Sequence, residues 1–238
     1  MKSPTPMYVV RAVGALLLFA ACTRTDMAPP ADSAMPGSTV APTAMAETAP
    51  RRGYLMVSPE QLVFRSCGDT VASSIIDSSN VLAEAVAPFR TGPLDSLFFV
   101  FRGDEVELVS AEAARGLVVR DVMRLSPESR GCAGTPDDYA FHAFGEEPFW
   151  AVTIRGNGIS FQEPDRQGPL LFPSVPAERS GGVVRYQAVS LTPDSTTMVV
   201  ELRHAMCTDS MSGEVTNHVA VVRLGSRELH GCAREGTG

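Results

Sequence analysis

Apolar and polar positions alternate with a period of two along much of the second half of this 238-residue chain. Phe149 to Ile154 and Ile159 to Phe161 flank Arg155-Gly156-Asn157-Gly158, and Asn-Gly between apolar runs predicts a β-hairpin. Val183 to Ser190, Met198 to Met206 and His218 to Leu224 continue the alternation, and Gly225-Ser226 turns the chain into Leu229. Five or six antiparallel strands are expected there, with a loop over Pro164 to Arg179. In the first half, Gly53 to Ser58 and Gln61 to Arg65 are short alternating runs, Leu97 to Phe101 reads as a buried strand ending at Gly103, and Leu117 to Leu125 reads as another. Val81, Leu82, Ala85, Val86 and Phe89 recur at helical spacing behind a candidate cap at Asn80, so a short helix is expected. The pattern predicts an all-β, mainly antiparallel chain of two small barrel-like modules, residues 53–135 and 138–234, divided at the turn cluster Thr135-Pro136-Asp137-Asp138.

Upstream the pattern changes. Residues 1–21 carry Lys2 and Arg11 and then the apolar run AVGALLLFAA from Ala12 to Ala21, too short for a bilayer-spanning helix but suited to a secretory signal. Phe19-Ala20-Ala21-Cys22 resembles a bacterial lipobox, with Phe19 where Leu, Val or Ile is usual. The resemblance implies lipidation of Cys22 and a stable membrane anchor. The competing reading is an ordinary cleaved signal that leaves a free cysteine. Residues 22–52 are rich in Ala, Pro, Ser and Thr without apolar periodicity, which predicts a disordered spacer. About 30 such residues reach roughly 30 Å. A periplasm-facing protein is expected. Thr23 lacks the Asp associated with inner-membrane retention, which favours the outer membrane.

Charge narrows the partners. The net charge is −7, and removing residues 1–21 takes away two bases and no acid. A surface of that sign repels phosphate backbones, so nucleic acid is not expected as a partner. Lys2 is the only lysine, which leaves the mature chain no amine side chain for Schiff-base chemistry. Besides Cys22 there are Cys67, Cys132, Cys207 and Cys232. An even number in an oxidising compartment predicts two disulfides. Of three possible pairings the punctuation favours Cys67 with Cys132 and Cys207 with Cys232, because Gly-Cys-Ala recurs at Cys132 and Cys232 near the end of each segment. Metal ligation is the rival reading of these cysteines.

Gly53-Tyr54, Phe64, Cys67-Gly68, Leu82, the strand ending at Gly103 and the return to Cys132 resemble the OB-like domain of the NlpE type of envelope lipoprotein, over residues 52–134. Phe144-Gly145-Glu146-Glu147-Pro148-Phe149-Trp150, Cys207-Thr208-Asp209-Ser210-Met211-Ser212 and Leu229-His230-Gly231-Cys232-Ala233 resemble an uncharacterised lipoprotein module found near META/HslJ-like domains, over residues 138–234. The resemblance implies an OB-like first module and a periplasm-facing lipoprotein without a catalytic role. The CxxC motif linked to copper in the NlpE type has no counterpart here, so that function is not carried over.

The candidate ligand-binding residues are Glu147, Trp150, Asp209 and Ser212. Trp150, the sole tryptophan, is either a ligand platform beside Glu147 or a core residue behind a strand started by Pro148, with a glutamate bonding a backbone donor. Core is the simpler reading. Asp209 to Gly213 is a loop, where Asp and Ser also close turns on their own. His204, Met206, Met211 and His230 form a weaker alternative, a site for a soft metal such as Cu(I). Yet Met198, Val200, Leu202, His204 and Met206 share one strand face by alternation, which makes His204 a half-buried core residue. No nucleophile elbow, phosphate loop or dinucleotide fingerprint occurs. No cofactor is expected. The expected function is therefore a non-catalytic, membrane-anchored lipoprotein binding a periplasmic protein or small ligand in envelope maintenance or stress sensing. The alternatives are a copper- or metal-handling lipoprotein, an inhibitor of a cell-wall hydrolase, and, as the enzyme reading, a hydrolase.

Overall fold

Five strands of the first half wrap around a phenylalanine cluster. They are β1 (Arg51–Val57), β2 (Leu62–Ser66), β3 (Ser73–Ile76), β4 (Leu97–Glu107) and β5 (Arg115–Ser126). A computed structural model describes residues 48–58, 61–90, 96–108, 115–127, 130–134, 137–191 and 195–237. The expected signal peptide, Cys22 and nearly all of the spacer lie outside these residues. Arg51 and Arg52, read above as the end of the spacer, already pair with Phe101 and Val100 of β4.

The sheet runs β3-β2-β1-β4-β5, and a parallel pairing of β3 with β5 closes it into a five-stranded barrel. Helix α1 (Val81–Val86), between β3 and β4, buries Leu82, Ala85 and Val86 against the barrel's interior. This is the OB-like arrangement expected of the first module. Inside, Phe64 meets Phe99 and Phe101 edge-on while those two rings stack at 4.7 Å. The helix cap is corrected. Asn80 has a left-handed backbone and makes no capping bond; instead the Asp77 carboxylate accepts the Ala83 N–H at 2.7 Å. Gly103 does not end β4, which continues to Glu107. A Cβ at Gly103 would meet the Val118 carbonyl oxygen at 2.1 Å, so the glycine is needed where the strands approach closely.

The second half forms nine strands rather than five or six: β6 (Phe141–Glu146), β7 (Phe149–Arg155), β8 (Gly158–Gln162), β9 (Leu170–Phe172), β10 (Glu178–Ser180), β11 (Val183–Val189), β12 (Thr197–Thr208), β13 (Val215–Leu224) and β14 (Arg227–Glu235). The expected β7–β8 hairpin is present, with Arg155 opposite Gly158. β9 lies within the segment expected to be loop. Neighbouring strands pair antiparallel from β11 through β12, β13, β14, β6, β7 and β8 to β9. Beyond β9 the Leu191 N–H donates to the Leu171 carbonyl, bringing the end of β11 against β9. Trp150, Phe161, Phe172, Tyr186, Met198 and Leu202 fill this wider, nearly closed barrel. Strand makes up 59% of the described residues and helix 7%, so the all-β expectation holds.

The sheet is continuous through β5 and β13, where Leu125 pairs with Val215 and Arg124 with Thr216. The register of β12 against β13 shifts between His204 and Cys207. Beyond that irregularity Met206 and Val215 pack into the first barrel's core, while Met198 to Leu202 fill the second. The β12–β13 hairpin therefore spans both cores. Residues from Ala46 onward cluster as one compact unit. Cys67 is bonded to Cys132 and Cys207 to Cys232, as the punctuation predicted. Among the described residues no helix is long and apolar enough to cross a membrane.

Candidate functional site

The turn between β6 and β7 sits at the rim of the second barrel. Gly145 pairs with Trp150 and Glu146 with Phe149, leaving Glu147 and Pro148 as the turn, with a cis bond between them. Pro148 thus turns the chain rather than starting a strand. Alternation carries Trp150 inward, where it is 4% exposed, and leaves Phe149 52% exposed on the rim. A Cβ at Gly145 would lie 2.4 Å from the indole Nε1, so the indole rests directly on glycine backbone. Its buried N–H has no hydrogen-bond partner among the described residues.

The other wall comes from the β12–β13 hairpin. Asp209 closes that turn itself: its carboxylate accepts the Ser212 N–H at 2.9 Å and the Ser212 hydroxyl, and its N–H donates to the Glu214 carbonyl at 2.8 Å. The turn is then fastened to β6, because Glu146 accepts the Met211 N–H at 2.7 Å and the Ser210 hydroxyl. Between these walls lies a cleft of about 370 Å³ lined by Phe144, Phe149, Trp150, Pro164, Met211 and the carboxylate residues Glu146, Glu163 and Asp209. Met211 is 70% exposed. Its volume is at the lower end of small-ligand sites, and its surface is mainly apolar.

The charge around the cleft is unbalanced in a specific way. Glu163 is paired with Arg227 at 3.0 Å. Glu146 and Asp209 accept backbone and hydroxyl donors and form no salt bridge among the described residues, although the Arg234 charge reaches Asp209. Burial would raise the Asp209 carboxyl, but the hydrogen bonds from Ser212, a side-chain hydrogen bond with Glu146 and the positive charge of Arg234 together outweigh it and hold the group below its ordinary value. An ionised carboxylate therefore stands beside apolar surface.

Of the sequence candidates, Trp150 and Asp209 line this cleft, Glu147 borders an adjoining depression with Phe149, Glu163 and Asp165, and Ser212 is spent on the hairpin turn. Known protein families, curated proteins and solved structures offer no match to this chain. The residues of the metal alternative are dispersed. His204 lies opposite His218, which lies opposite Ala233, whereas His230 is three residues from Ala233 and so on the other sheet face. The His204 side chain is 58% exposed and its Nε2 lies 3.3 Å from Asp121, so it is not the half-buried core residue expected: it lies just before the register shift of β12 and turns to a carboxylate of the first barrel. His230 is bonded to Glu228, Met206 packs into the first core, and Cys207 and Cys232 hold each other.

Sequence reasoning missed the polar seam between the barrels. Glu214, 2% exposed, accepts from Arg124 Nε at 3.0 Å and from Arg234 Nε. Arg102 of β4 makes two bonds of 3.0 Å to Glu235 of β14, and Asp121 accepts from Asn217 at 2.8 Å. A buried carboxylate is tolerable only when paired, and here two guanidiniums from opposite barrels do so. The only available signal was the high arginine content, which does not say which arginines meet.

Proposed function

We propose that this chain is a non-catalytic binding protein of the cell envelope, anchored by lipid on Cys22. The rim cleft of its second barrel takes an apolar ligand or chain segment that carries positive charge. One observation carries this reading: two carboxylates that form no salt bridge among the described residues, Glu146 and Asp209, flank a cleft with Trp150, Phe149 and Met211 on its surface. Apolar contact supplies affinity, and a cation entering between the carboxylates gains charge-assisted hydrogen bonds that water-exposed anions alone do not have. The lipobox-like FAAC string and the Pro/Ala-rich spacer support a tether that holds the barrels away from the lipid. The likeness to NlpE-type lipoproteins belongs to the same reading.

Trp150 is the only tryptophan and forms part of the cleft, so its emission is a built-in reporter. Titration with a short peptide containing leucine and arginine should shift that emission saturably. The same peptide with glutamate in place of arginine should bind at least about tenfold more weakly. Equal response to both peptides, or none to either, contradicts the proposal.

A further inference from the structure

A second cavity, of about 310 Å³, opens where the first barrel, the turn after β5 and the end of β14 meet, and its chemistry is opposite to that of the rim cleft. Arg52, Arg124, Arg130 and Arg234 line it, with Phe98 and Val100 as an apolar wall and Asp137 as the one carboxylate. These arginines come from four separate parts of the chain in a protein whose net charge is −7.

Two carboxylates answer two of the four guanidiniums. Glu214 pairs with Arg124 and Arg234, and Asp137 lies 3.9 Å from Arg124. Arg52 donates Nη2 to the carbonyls of Gly131 at 3.2 Å and Gly134 at 3.0 Å, which are neutral acceptors. Arg130 is exposed and has no carboxylate partner among the described residues. Two positive charges are thus left without counter-charge around one cavity. Three of the four arginines lie against aromatic rings: the guanidinium carbons of Arg52 and Arg124 are 5.8 and 5.6 Å from the Phe98 ring centre, and Arg234 sits 4.8 Å from the Phe144 ring centre. Such stacking fixes the donor planes before any ligand arrives.

We propose that this cavity is an anion site for a phosphoryl group. A single planar carboxylate matches one guanidinium fork, whereas a tetrahedral dianion presents oxygens in several directions and carries the charge that Arg52 and Arg130 leave unbalanced. The backbone at Gly131 has φ +53°, and a Cβ there would meet the Tyr54 hydroxyl oxygen at 2.0 Å, so the glycine fixes the path of the turn that carries Arg130. The Cys67–Cys132 disulfide ties the same turn to the first barrel. The site shares no lining residue with the rim cleft, although Arg234 stacks on Phe144 of that cleft.

The test is calorimetric titration of the full chain in neutral detergent at about pH 8, where phosphate is a dianion. The probes are inorganic phosphate, glycerol phosphate and acetate. Both phosphoryl compounds should bind, and acetate should not. Comparable affinity for the two means that the site grips the phosphoryl group alone; preference for glycerol phosphate means that it also accepts the group's bearer. Arg130→Ala removes an exposed, unpaired arginine, so folding should survive while affinity falls about tenfold or more. Arg203→Ala, on the exposed side of β12, should leave binding unchanged. Three outcomes overturn the proposal: no phosphate binding at millimolar concentration, acetate binding as tight as phosphate, or equal losses in the Arg130 and Arg203 variants.

Discussion

The two barrels close in different ways. In the first, β3 and β5 pair over three residue positions, Ser74 to Ile76 against Gly116 to Val118, around stacked phenylalanines. In the second, among the described residues, β9 and the end of β11 meet through one backbone bond, from Leu191 to Leu171. The small barrel is a filled, pinned body, whereas the wider one has an open rim bearing the apolar cleft. What joins them is the β12–β13 hairpin. Its tip supplies Asp209 and Met211 to the cleft, and Met206 and Val215 root it in the first core. The first barrel thus serves the cleft indirectly, by fixing the base of one of its walls.

The disulfides offer the strongest way to break this arrangement. Replacing Cys67 and Cys132 together by serine opens a loop of 65 residues and should cost about 4 kcal/mol, read from denaturant unfolding. The same change at Cys207 and Cys232, which close 25 residues, should cost about 3.5 kcal/mol. The nearly equal losses should differ in consequence: only the second removes a covalent link from the hairpin that walls the cleft, which stays hydrogen-bonded to β14, so only the second should alter Trp150 emission in the folded protein.

Glu214→Gln sharpens the comparison at the seam. It leaves Arg124 and Arg234 without their shared carboxylate, and about 3 kcal/mol of stability should be lost. A loss below about 1 kcal/mol would mean that the ion cluster contributes little to joining the barrels.

The smallest effect concerns pH. Burial, with the nearby Arg234 charge, lowers the His142 imidazole from 6.5 to about 4. The unfolded chain therefore binds a proton between about pH 6.5 and 4 that the folded chain does not. Stability from this group is complete above about pH 6.5 and is lost as pH falls toward 4, by about 2 to 3 kcal/mol. His142→Gln, which can still bond Thr153, should flatten that part of the stability profile.

Long alternating strands were legible in the sequence because each has one face in a core: Met198, Val200 and Leu202 point inward as their spacing implied. The helix and the disulfide pairing were legible too, from apolar spacing and from repeated Gly-Cys-Ala. β3 was not, because Ser73–Ile76 is four residues long with two serines and depends on β2 and β5 for its pairing. β9 is three residues set between Gly- and Pro-containing stretches, and the strands beside it decide its conformation. The cleft was half visible. A lone tryptophan and a short acidic loop could be found by inspection, whereas the bonds from Ser210 and Met211 to Glu146 join segments far apart in the chain.

The seam makes the two barrels one cooperative unit, so that the first core steadies the cleft. The most direct measurement follows urea unfolding of the full chain by two signals, Trp150 emission, which reports the second barrel alone, and far-ultraviolet circular dichroism, which reports both. A single cooperative unit unfolds in one transition with the same midpoint and slope in both signals. A dichroism curve with two steps, only one of which coincides with the Trp150 transition, would contradict it.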